Sequence, residues 1–166
     1  RSFSFYRKPG ADVMLTTDEV NTSLLMSCKI FHFGSVSLTD EPCRTTTLHA
    51  VRIAKESGAF ISYDPNYRPA LWESSEEAKK VLSDAVPLSD LLKVCDEEMT
   101  LLTGETDFES GAQKLAAMGP SIVLVTMGEK GSFFYTPSGS GYLPAFHVNA
   151  ADTTGAGDAF LGALHK

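Results

Sequence analysis

Apolar residues along this chain alternate between short runs and longer stretches with helical spacing. The short runs are rich in β-branched or aromatic residues and predict strands at 29–33, 59–63, 90–94, 121–126, 132–136 and 142–148. The longer stretches predict helices at 43–57, 75–86, 96–102 and 108–116, with a last helix starting close to Gly155. Parallel neighbouring strands need crossover helices, so this alternation predicts a mostly parallel sheet with helices on both faces.

Local signals set several boundaries. A capping box, Thr16 to Glu19, predicts a helix that continues to about Ser27, and residues 137–141 predict a hairpin loop between the last two strands. Strand-like alternation is present from residues 2–6, and no stop signal follows the last helix before Lys166. We therefore expect the chain to be a fragment of a longer protein.

Composition and charge limit the class of protein. The 166 residues are 43% apolar and 21% charged, which fits one globular domain. With 14 basic and 21 acidic residues and no basic stripe, the net charge of −7 argues against nucleic acid and against anionic membranes as partners. No apolar stretch is long enough to span a bilayer. Three cysteines without paired spacing and no signal-peptide pattern favour a cytoplasmic protein.

Ligands of such sheets bind beyond the carboxyl ends of the strands, where the most informative segment lies. The run 152–160 reads DTTGAGDAF and opens the last helix with small residues. The N–H groups of Gly155, Ala156 and Gly157 lie in the first turn, where unpaired donors and the helix dipole favour an anion. Asp158 beside them could accept a proton from an attacking hydroxyl. The alternative is a tight turn capped by an acid or a threonine.

Two other phosphate-binding patterns fit this segment less well. In a dinucleotide fingerprint the third glycine would fall at Phe160, and the chain stops before the acidic residue expected further on. The P-loop pattern is absent.

The run 152–160 resembles the C-terminal signature of the ribokinase or PfkB-type carbohydrate kinases, and the order of elements along the whole chain is most similar to fructokinases of that family. The resemblance implies a ribokinase-like three-layer α/β/α fold. Residues 1–166 would form the central to C-terminal part of a single kinase domain whose N-terminal and C-terminal parts are missing. It also implies that Asp158 is the catalytic base, that the backbone of Gly155, Ala156 and Gly157 forms the anion hole, and that Asp152 and Thr154 lie near the nucleotide phosphates.

Two further loops resemble elements of the same family. The segment 126–131 resembles a T-x-G-x-x-G loop near the nucleotide, which implies binding roles for Thr126, Gly128 and Gly131; a glycine-rich turn is the alternative. The segment 95–98 aligns with the family's N-x-x-E element, which makes Glu98 the acid that indirectly organises Mg²⁺. Cys95 stands where the family has asparagine, and a helix-capping acidic cluster is the alternative.

Substrate contacts are implied at two places. Residues 64–68 resemble the family's D-x-N-x-R loop, so Asp64, Asn66 and Arg68 are expected to reach substrate and phosphates, with a solvated turn as the alternative. Arg7 resembles the arginine that fructokinases and ketodeoxygluconate kinases aim at their sugar. His32, on an apolar strand, is expected to be a packed core histidine.

The expected function is therefore that of an ATP-dependent sugar kinase that transfers the γ-phosphoryl group to the 6-hydroxyl of fructose, with ATP and Mg²⁺ as cofactors. A 2-keto-3-deoxygluconate kinase and a non-catalytic fructokinase-like binding protein are the alternatives. The oligomeric state of the parent protein, a homodimer or another form, is left open. The isolated fragment is expected to be inactive.

Overall fold

The structure, a computed structural model, describes Arg7 and residues 9–166. Within that part of the chain a single sheet has six strands: β1 (Ile30–Gly34), β2 (Phe60–Asp64), β3 (Leu91–Cys95), β4 (Ile122–Thr126), β5 (Ser132–Thr136) and β6 (Gly139–Leu143). The strands lie in chain order, with β1 to β4 parallel and β4 to β6 antiparallel. The predicted mostly parallel sheet is confirmed.

The α-helices of the described residues are α1 (Thr22–Ser27), α2 (Cys43–Glu56), α3 (Ser75–Ala85), α4 (Asp96–Thr103), α5 (Phe108–Ala117) and α6 (Ala156–Leu164). Helices α2 to α5 connect the parallel strands, whereas α1 precedes β1 and α6 follows β6. Among the described residues, none of these helices has the length and apolar character needed to cross a membrane.

The side chains of each strand point alternately to the two faces of the sheet. On the first face, α2 to α5 cover the main core, whose fully buried members include Val51, Ile61, Leu82, Leu115 and Val123. On the second face, α6 inserts Leu161 against Leu91 and Leu124 in a smaller apolar cluster. The result is the expected α/β/α arrangement of three layers.

Two predicted boundaries were wrong. The capping box between Thr16 and Glu19 is present, but it closes a 3₁₀ turn, because Val20 is extended and Asn21 caps a separate helix α1 by accepting the Leu24 N–H. The last strand occupies Gly139–Leu143 rather than 142–148.

The hairpin between β5 and β6 explains the second error. Thr136 pairs directly with Gly139, so the turn contains only residues 137 and 138, and the strand starts earlier than predicted. Pro144 follows the strand and has no N–H to continue its ladder.

Candidate active site

Two cavities adjoin at the carboxyl edge of the parallel strands. The first cavity, about 540 Å³, is lined by Asp12, His32, Gly34, Asp64, Asn66 and Asp158, among others. The second cavity, about 640 Å³, is lined by residues that include Asn66, Lys93, Thr126, Gly128, Gly131 and Gly157. Because Asn66 lines both cavities, the two spaces share a wall.

The beginning of α6 forms part of that wall. Gly155 precedes the helix with a φ of 75°, a left-handed conformation that glycine adopts without the steric cost of a Cβ. Asp152 Oδ1 accepts the Thr154 N–H at 2.7 Å, which fixes the turn before the helix. Ala156 and Gly157 in the first turn line the second cavity, which therefore lies at the positive end of the helix dipole; the Ala156 N–H itself donates to the Thr153 carbonyl at 3.2 Å.

Asp158 and Gly157 are consecutive residues that line different cavities. The Asp158 side chain is exposed and lines the first cavity, whereas Gly157 lines the second. A carboxylate thus lies on one side of the wall and bare helix backbone on the other. Asp152 and Thr154 are exposed and do not line either cavity; Thr153 lines the second.

A buried ion pair that sequence analysis missed lies beneath α6. Lys93 on β3 is only 6% exposed, and its Nζ lies 2.9 Å from Oδ2 of Asp64 at the end of β2. A Cβ placed on Gly157 would lie 3.2 Å from the same Nζ. A lysine inside the apolar run 91–94 was the signal in the sequence that could have found it.

The loop after β2 brings two of its three predicted residues to the cavities. Asp64 Oδ1 accepts the Asn66 N–H at 3.1 Å, and Asn66 has a φ of 47°, a region that asparagine tolerates better than most residues. Arg68 does not join them, since it lines neither cavity and its Nη1 donates to the adjacent Tyr67 carbonyl at 3.1 Å. The expectation that all three side chains converge is corrected at Arg68.

The buried Glu98 side chain holds the loop after β2 through a hydrogen bond to its backbone. Its Oε1 accepts the Tyr67 N–H at 2.6 Å, and its Oε2 accepts the Cys95 N–H at 2.8 Å. Burial raises the pKa of Glu98, and these two N–H groups oppose the rise. Burial and the neighbouring Glu98 raise the pKa of the Cys95 thiol to about 12. Glu98 lines neither cavity, and it contacts the loop after β2 through the Tyr67 backbone.

Arg7 lies behind the rim of the first cavity. Its guanidinium forms an ion pair with Asp12 at 2.7 Å and donates to Thr39 Oγ1 at 3.2 Å and to the Val36 carbonyl at 3.3 Å. Asp12 and Val36 line the cavity. Arg7 was expected to contact the sugar, and in the structure its positive charge is balanced by the Asp12 carboxylate.

The predicted glycine-rich loop lines the second cavity as Thr126, Gly128 and Gly131. Gly128 and Gly131 have φ values of 56° and 100°, and a Cβ on Gly131 would overlap the Leu143 carbonyl oxygen. The Met127 N–H donates to the Gly131 carbonyl at 2.9 Å and closes the loop.

His32 was expected in the core, but it is exposed on the second face of the sheet and lines the first cavity. Its Nδ1 lies 3.0 Å from Ser62 Oγ, which also lies 2.9 Å from His165 Nε2 at the end of α6. Desolvation lowers the pKa of His32, and the nearby Asp64 opposes this effect. Among the described residues, no group of three His, Cys, Asp or Glu could hold a metal ion by itself.

Comparison with known proteins identifies a family whose model matches this chain. The model of the pfkB family of carbohydrate kinases matches residues 1–166. The chain is 49% identical over 166 residues to probable fructokinase-4 of Arabidopsis thaliana, covering 99% of this chain and 51% of that protein. It is 48% identical over 165 residues to fructokinase-2 of Solanum lycopersicum, covering 50% of that protein. The chain thus spans about half the length of these relatives.

Solved structures share the fold. A fructokinase from Vibrio cholerae O395, with fructose, ADP and a calcium ion bound, superposes with a TM-score of 0.88 at 36% identity, covering 98% of this chain and 52% of that one. An aminoimidazole riboside kinase from Salmonella enterica, bound to aminoimidazole riboside and an ATP analogue, gives a TM-score of 0.88 at 30% identity, covering 98% and 54%.

Proposed function

Because this chain belongs to the pfkB family of carbohydrate kinases, we propose that the whole protein is an ATP-dependent sugar kinase that phosphorylates the 6-hydroxyl of fructose. One observation carries the proposal: two cavities meet at the start of α6, with the Asp158 carboxylate in one and the Gly157 backbone in the other. In this proposal the first cavity holds the sugar and the second holds the triphosphate.

The chemistry follows from that placement. The sugar oxygen forms a bond to the γ-phosphorus, the bond from that phosphorus to the β,γ-bridging oxygen breaks, and ADP leaves. Asp158 takes the proton of the attacking hydroxyl as general base. The first-turn N–H groups of Gly155 to Gly157 stabilise the charge on the transferring group, and catalysis consists mainly of positioning and charge stabilisation.

The second cavity suits a nucleotide triphosphate. It adjoins the helix N-terminus and the loop 126–131, whose glycines leave backbone accessible. Thr126, Gly128 and Gly131 would contact the nucleotide, while Asp152 and Thr154 would act indirectly by shaping the turn before α6. The ADP and ATP analogue bound by the Vibrio and Salmonella proteins support this role.

The charge of the first cavity favours a neutral sugar. Three carboxylates, Asp12, Asp64 and Asp158, line it; Asp12 pairs with the nearby Arg7 and Asp64 with Lys93, and among the described residues Asp158 forms no ion pair. A sugar acid such as 2-keto-3-deoxygluconate would bring a further negative charge to these carboxylates, and like charges at short range repel. Fructose carries no charge, so the ketodeoxygluconate alternative is the less favoured substrate. In the proposed complex, Asp64 and Asn66 contact the sugar.

Glu98 and Asp64 are engaged by protein groups and do not offer a direct Mg²⁺ site. Both oxygens of Glu98 accept backbone N–H groups, and Asp64 is paired with Lys93. Mg²⁺ in kinases is held largely by substrate phosphates and water, with one or two carboxylates, so it would arrive with ATP and neutralise phosphate oxygens. We assign Glu98 an indirect part, in which it holds the loop 64–68 beside the phosphate site.

The test is an ADP-release assay on the whole protein with fructose, ketodeoxygluconate, ribose and adenosine as acceptors. We expect fructose to give the highest kcat/KM, with turnover that requires Mg²⁺. Turnover of ketodeoxygluconate above that of fructose would favour the alternative kinase. Nucleotide binding without turnover of any acceptor would favour the non-catalytic binding protein.

A further inference from the structure

The face of the sheet under α6 carries a polar contact that the proposed reaction does not use. His32 on β1 and Ser62 on β2 are register partners in adjacent parallel strands, so their side chains project from the same face. Ser62 Oγ lies 3.0 Å from His32 Nδ1 and 2.9 Å from His165 Nε2 at the end of α6. The two imidazole centroids are 5.6 Å apart. One serine hydroxyl therefore joins both strands to α6.

The Ser62 hydroxyl has the burial and the chemistry to make both contacts at once. The residue is fully buried, and a buried hydroxyl needs partners within the protein because bulk water does not reach it. A hydroxyl has one donor and two acceptor positions, so Ser62 can accept an N–H from one ring and donate its proton to the other. Both hydrogen bonds can therefore form at the same time.

Asp158, Leu161 and His165 lie along one side of α6. They are separated by three and then four residues, the spacing that places side chains on one helical face. Leu161 packs on Leu91 and Leu124, and His165 contacts Ser62 on β2. The helix is therefore attached to the sheet at one apolar point and one polar point.

The polar point restricts a motion that the apolar point allows. Apolar attraction is non-directional, so packing at Leu161 alone tolerates some rotation of α6 about its axis. A hydrogen bond is directional and weakens steeply as its angle changes. Rotation of a helix turns all its residues by the same angle, so holding His165 also holds Asp158, which lies roughly 10 Å away along the axis.

We propose that His32, Ser62 and His165 form a clamp that fixes the rotation of α6 on the sheet and so positions Asp158 for the acceptor hydroxyl. Ser62 and His165 are positioning residues in this inference, because they act on the reaction through Asp158. The inference rests on the proposed function, since it takes Asp158 as the base. His32 also lines the first cavity, so variants of Ser62 and His165 provide the test.

The first test is steady-state ADP release by the whole protein carrying Ser62→Ala, which removes the shared hydroxyl and adds no volume. We expect kcat to fall about tenfold, because a displacement of about 1 Å at a reacting group can cost about 10²-fold. The KM for fructose should stay within about threefold, since a base acts in the transition state. An unchanged kcat, with or without a lower melting temperature, would overturn the proposal.

Two substitutions of His165 separate hydrogen bonding from ring packing. His165→Phe keeps a ring beside His32 but cannot bind the Ser62 hydroxyl, so its kcat should fall as in Ser62→Ala. His165→Gln keeps a donor and an acceptor, and we expect its kcat to stay within about threefold of the unmodified protein. Equal loss in both variants would contradict the clamp. His49→Gln, which removes an imidazole from α2 on the first face, is the matched control and should leave kcat unchanged.

The double variant Ser62→Ala with His165→Phe tests whether the two residues act as one unit. Both changes break the same contact, so the double variant should have the kcat of Ser62→Ala alone. Independent effects would multiply, and that result would overturn the proposal.

Hydrogen exchange of the α6 amides separates this inference from the proposed function. We expect faster exchange in Ser62→Ala than in the unmodified whole protein, because a helix with fewer attachments opens more readily. If the unmodified protein phosphorylates no sugar, the proposed function fails while exchange still tests the clamp. If fructose is phosphorylated and neither kcat nor exchange responds to Ser62→Ala, only the clamp fails.

Discussion

At the scale of single residues, the site depends on how a helix distributes consecutive positions. Successive residues of an α-helix are rotated by about 100° about its axis. Gly157 and Asp158 therefore face different cavities although they are neighbours in the chain. The glycine exposes backbone where a phosphate would bind, and the aspartate places its carboxylate where an acceptor hydroxyl would lie.

We predict that Asp158→Asn in the whole protein lowers kcat by about 10²–10⁴-fold, the contribution typical of a general base. Asparagine keeps the size and hydrogen-bonding capacity of the side chain but cannot take the hydroxyl proton. The KM for fructose should stay within about threefold, because the loss is confined to the transition state. Steady-state ADP release measures both constants.

The control for this variant is its thermal stability. A variant that unfolds at the assay temperature says nothing about base chemistry, so its melting temperature must match that of the unmodified protein. Turnover within about threefold of the unmodified rate in a folded variant would reduce the run 155–158 to a helix-starting turn.

Asp12 provides a prediction about specificity. In Asp12→Asn the Arg7 guanidinium loses its ion-pair partner at the rim of the first cavity, and one of the carboxylates lining that cavity is removed. We expect the ratio of kcat/KM for ketodeoxygluconate to that for fructose to rise by about tenfold, equivalent to about 1.4 kcal/mol.

The matched control is Glu109→Gln, which removes an exposed negative charge from α5, far along the chain from the cavity lining. It should leave that ratio unchanged. An unchanged ratio in Asp12→Asn would mean that the Asp12 carboxylate does not select against acidic sugars.

The sequence was a good guide to residues that belong to contiguous motifs. Asp158, Gly157 and the loop 126–131 lie at the cavities as predicted, because each follows directly from a strand end or a helix start. The Lys93 ion pair was missed because its partner lies 29 positions away, and only the register of β2 and β3 brings the two residues together. Arg68 was misplaced because a motif does not specify which way a long side chain turns.

At the scale of elements, Glu98 joins two segments that the chain separates. It closes a capping box with Cys95 at the start of α4 and also accepts the Tyr67 N–H from the loop after β2. Sequence analysis gave two alternative interpretations of Glu98, as an acid that caps a helix or as an acid that organises the site. In the structure one carboxylate caps the helix and also holds the loop beside the cavities.

The raised pKa of Glu98 determines whether its contribution to folding stability increases or decreases with pH. Burial raises this pKa above the ordinary value of 4.5, so the folded protein binds the proton more readily than the unfolded chain. The stabilising contribution of this group is then fully present below pH 4.5 and is lost as the pH rises through the raised pKa.

We predict that Glu98→Gln lowers the free energy of unfolding by about 1–3 kcal/mol, because the glutamine NH₂ group cannot accept a backbone N–H, whereas both oxygens of a protonated or an ionised carboxyl can. The difference between the two proteins should be largest in acid and shrink toward neutral pH. Urea unfolding at several pH values measures it. A difference that grows with pH would mean that the hydrogen bonds, and not burial, dominate the pKa of Glu98.

The parallel half of the fold was more predictable than its antiparallel end. Strands β1 to β4 and helices α2 to α5 have strong periodic patterns and fall within one or two residues of the predicted bounds. The boundary of β6 failed because apolar residues 142–148 suggested a strand, while the pairing of Thr136 with Gly139 set the register. Helix α1 failed because two capping signals, at Thr16 and Asn21, lie five residues apart.

At the scale of the whole molecule, the two faces of the sheet are covered unequally in the described residues. Helices α2 to α5 bury the first face, whereas α6 alone packs on the second through a small cluster around Leu161. Phe146 is 94% exposed and Val148 70% exposed in the segment that leads to α6. In the described part of the chain, the helix that carries Gly157 and Asp158 therefore has less apolar packing than the helices on the first face.

We predict that residues 1–166 expressed alone do not phosphorylate fructose at a rate typical of kinases, about 1–100 per second. A segment with few buried contacts opens locally at low free-energy cost, so α6 would not hold Asp158 and the anion hole in fixed positions. Exposed apolar surface also promotes self-association. The measurement is ADP release by this chain and by the whole protein at equal concentration, with hydrogen exchange of α6 as the structural readout. Typical turnover by the isolated chain would contradict the prediction, and it would show that the cluster around Leu161 is sufficient to fix the catalytic helix.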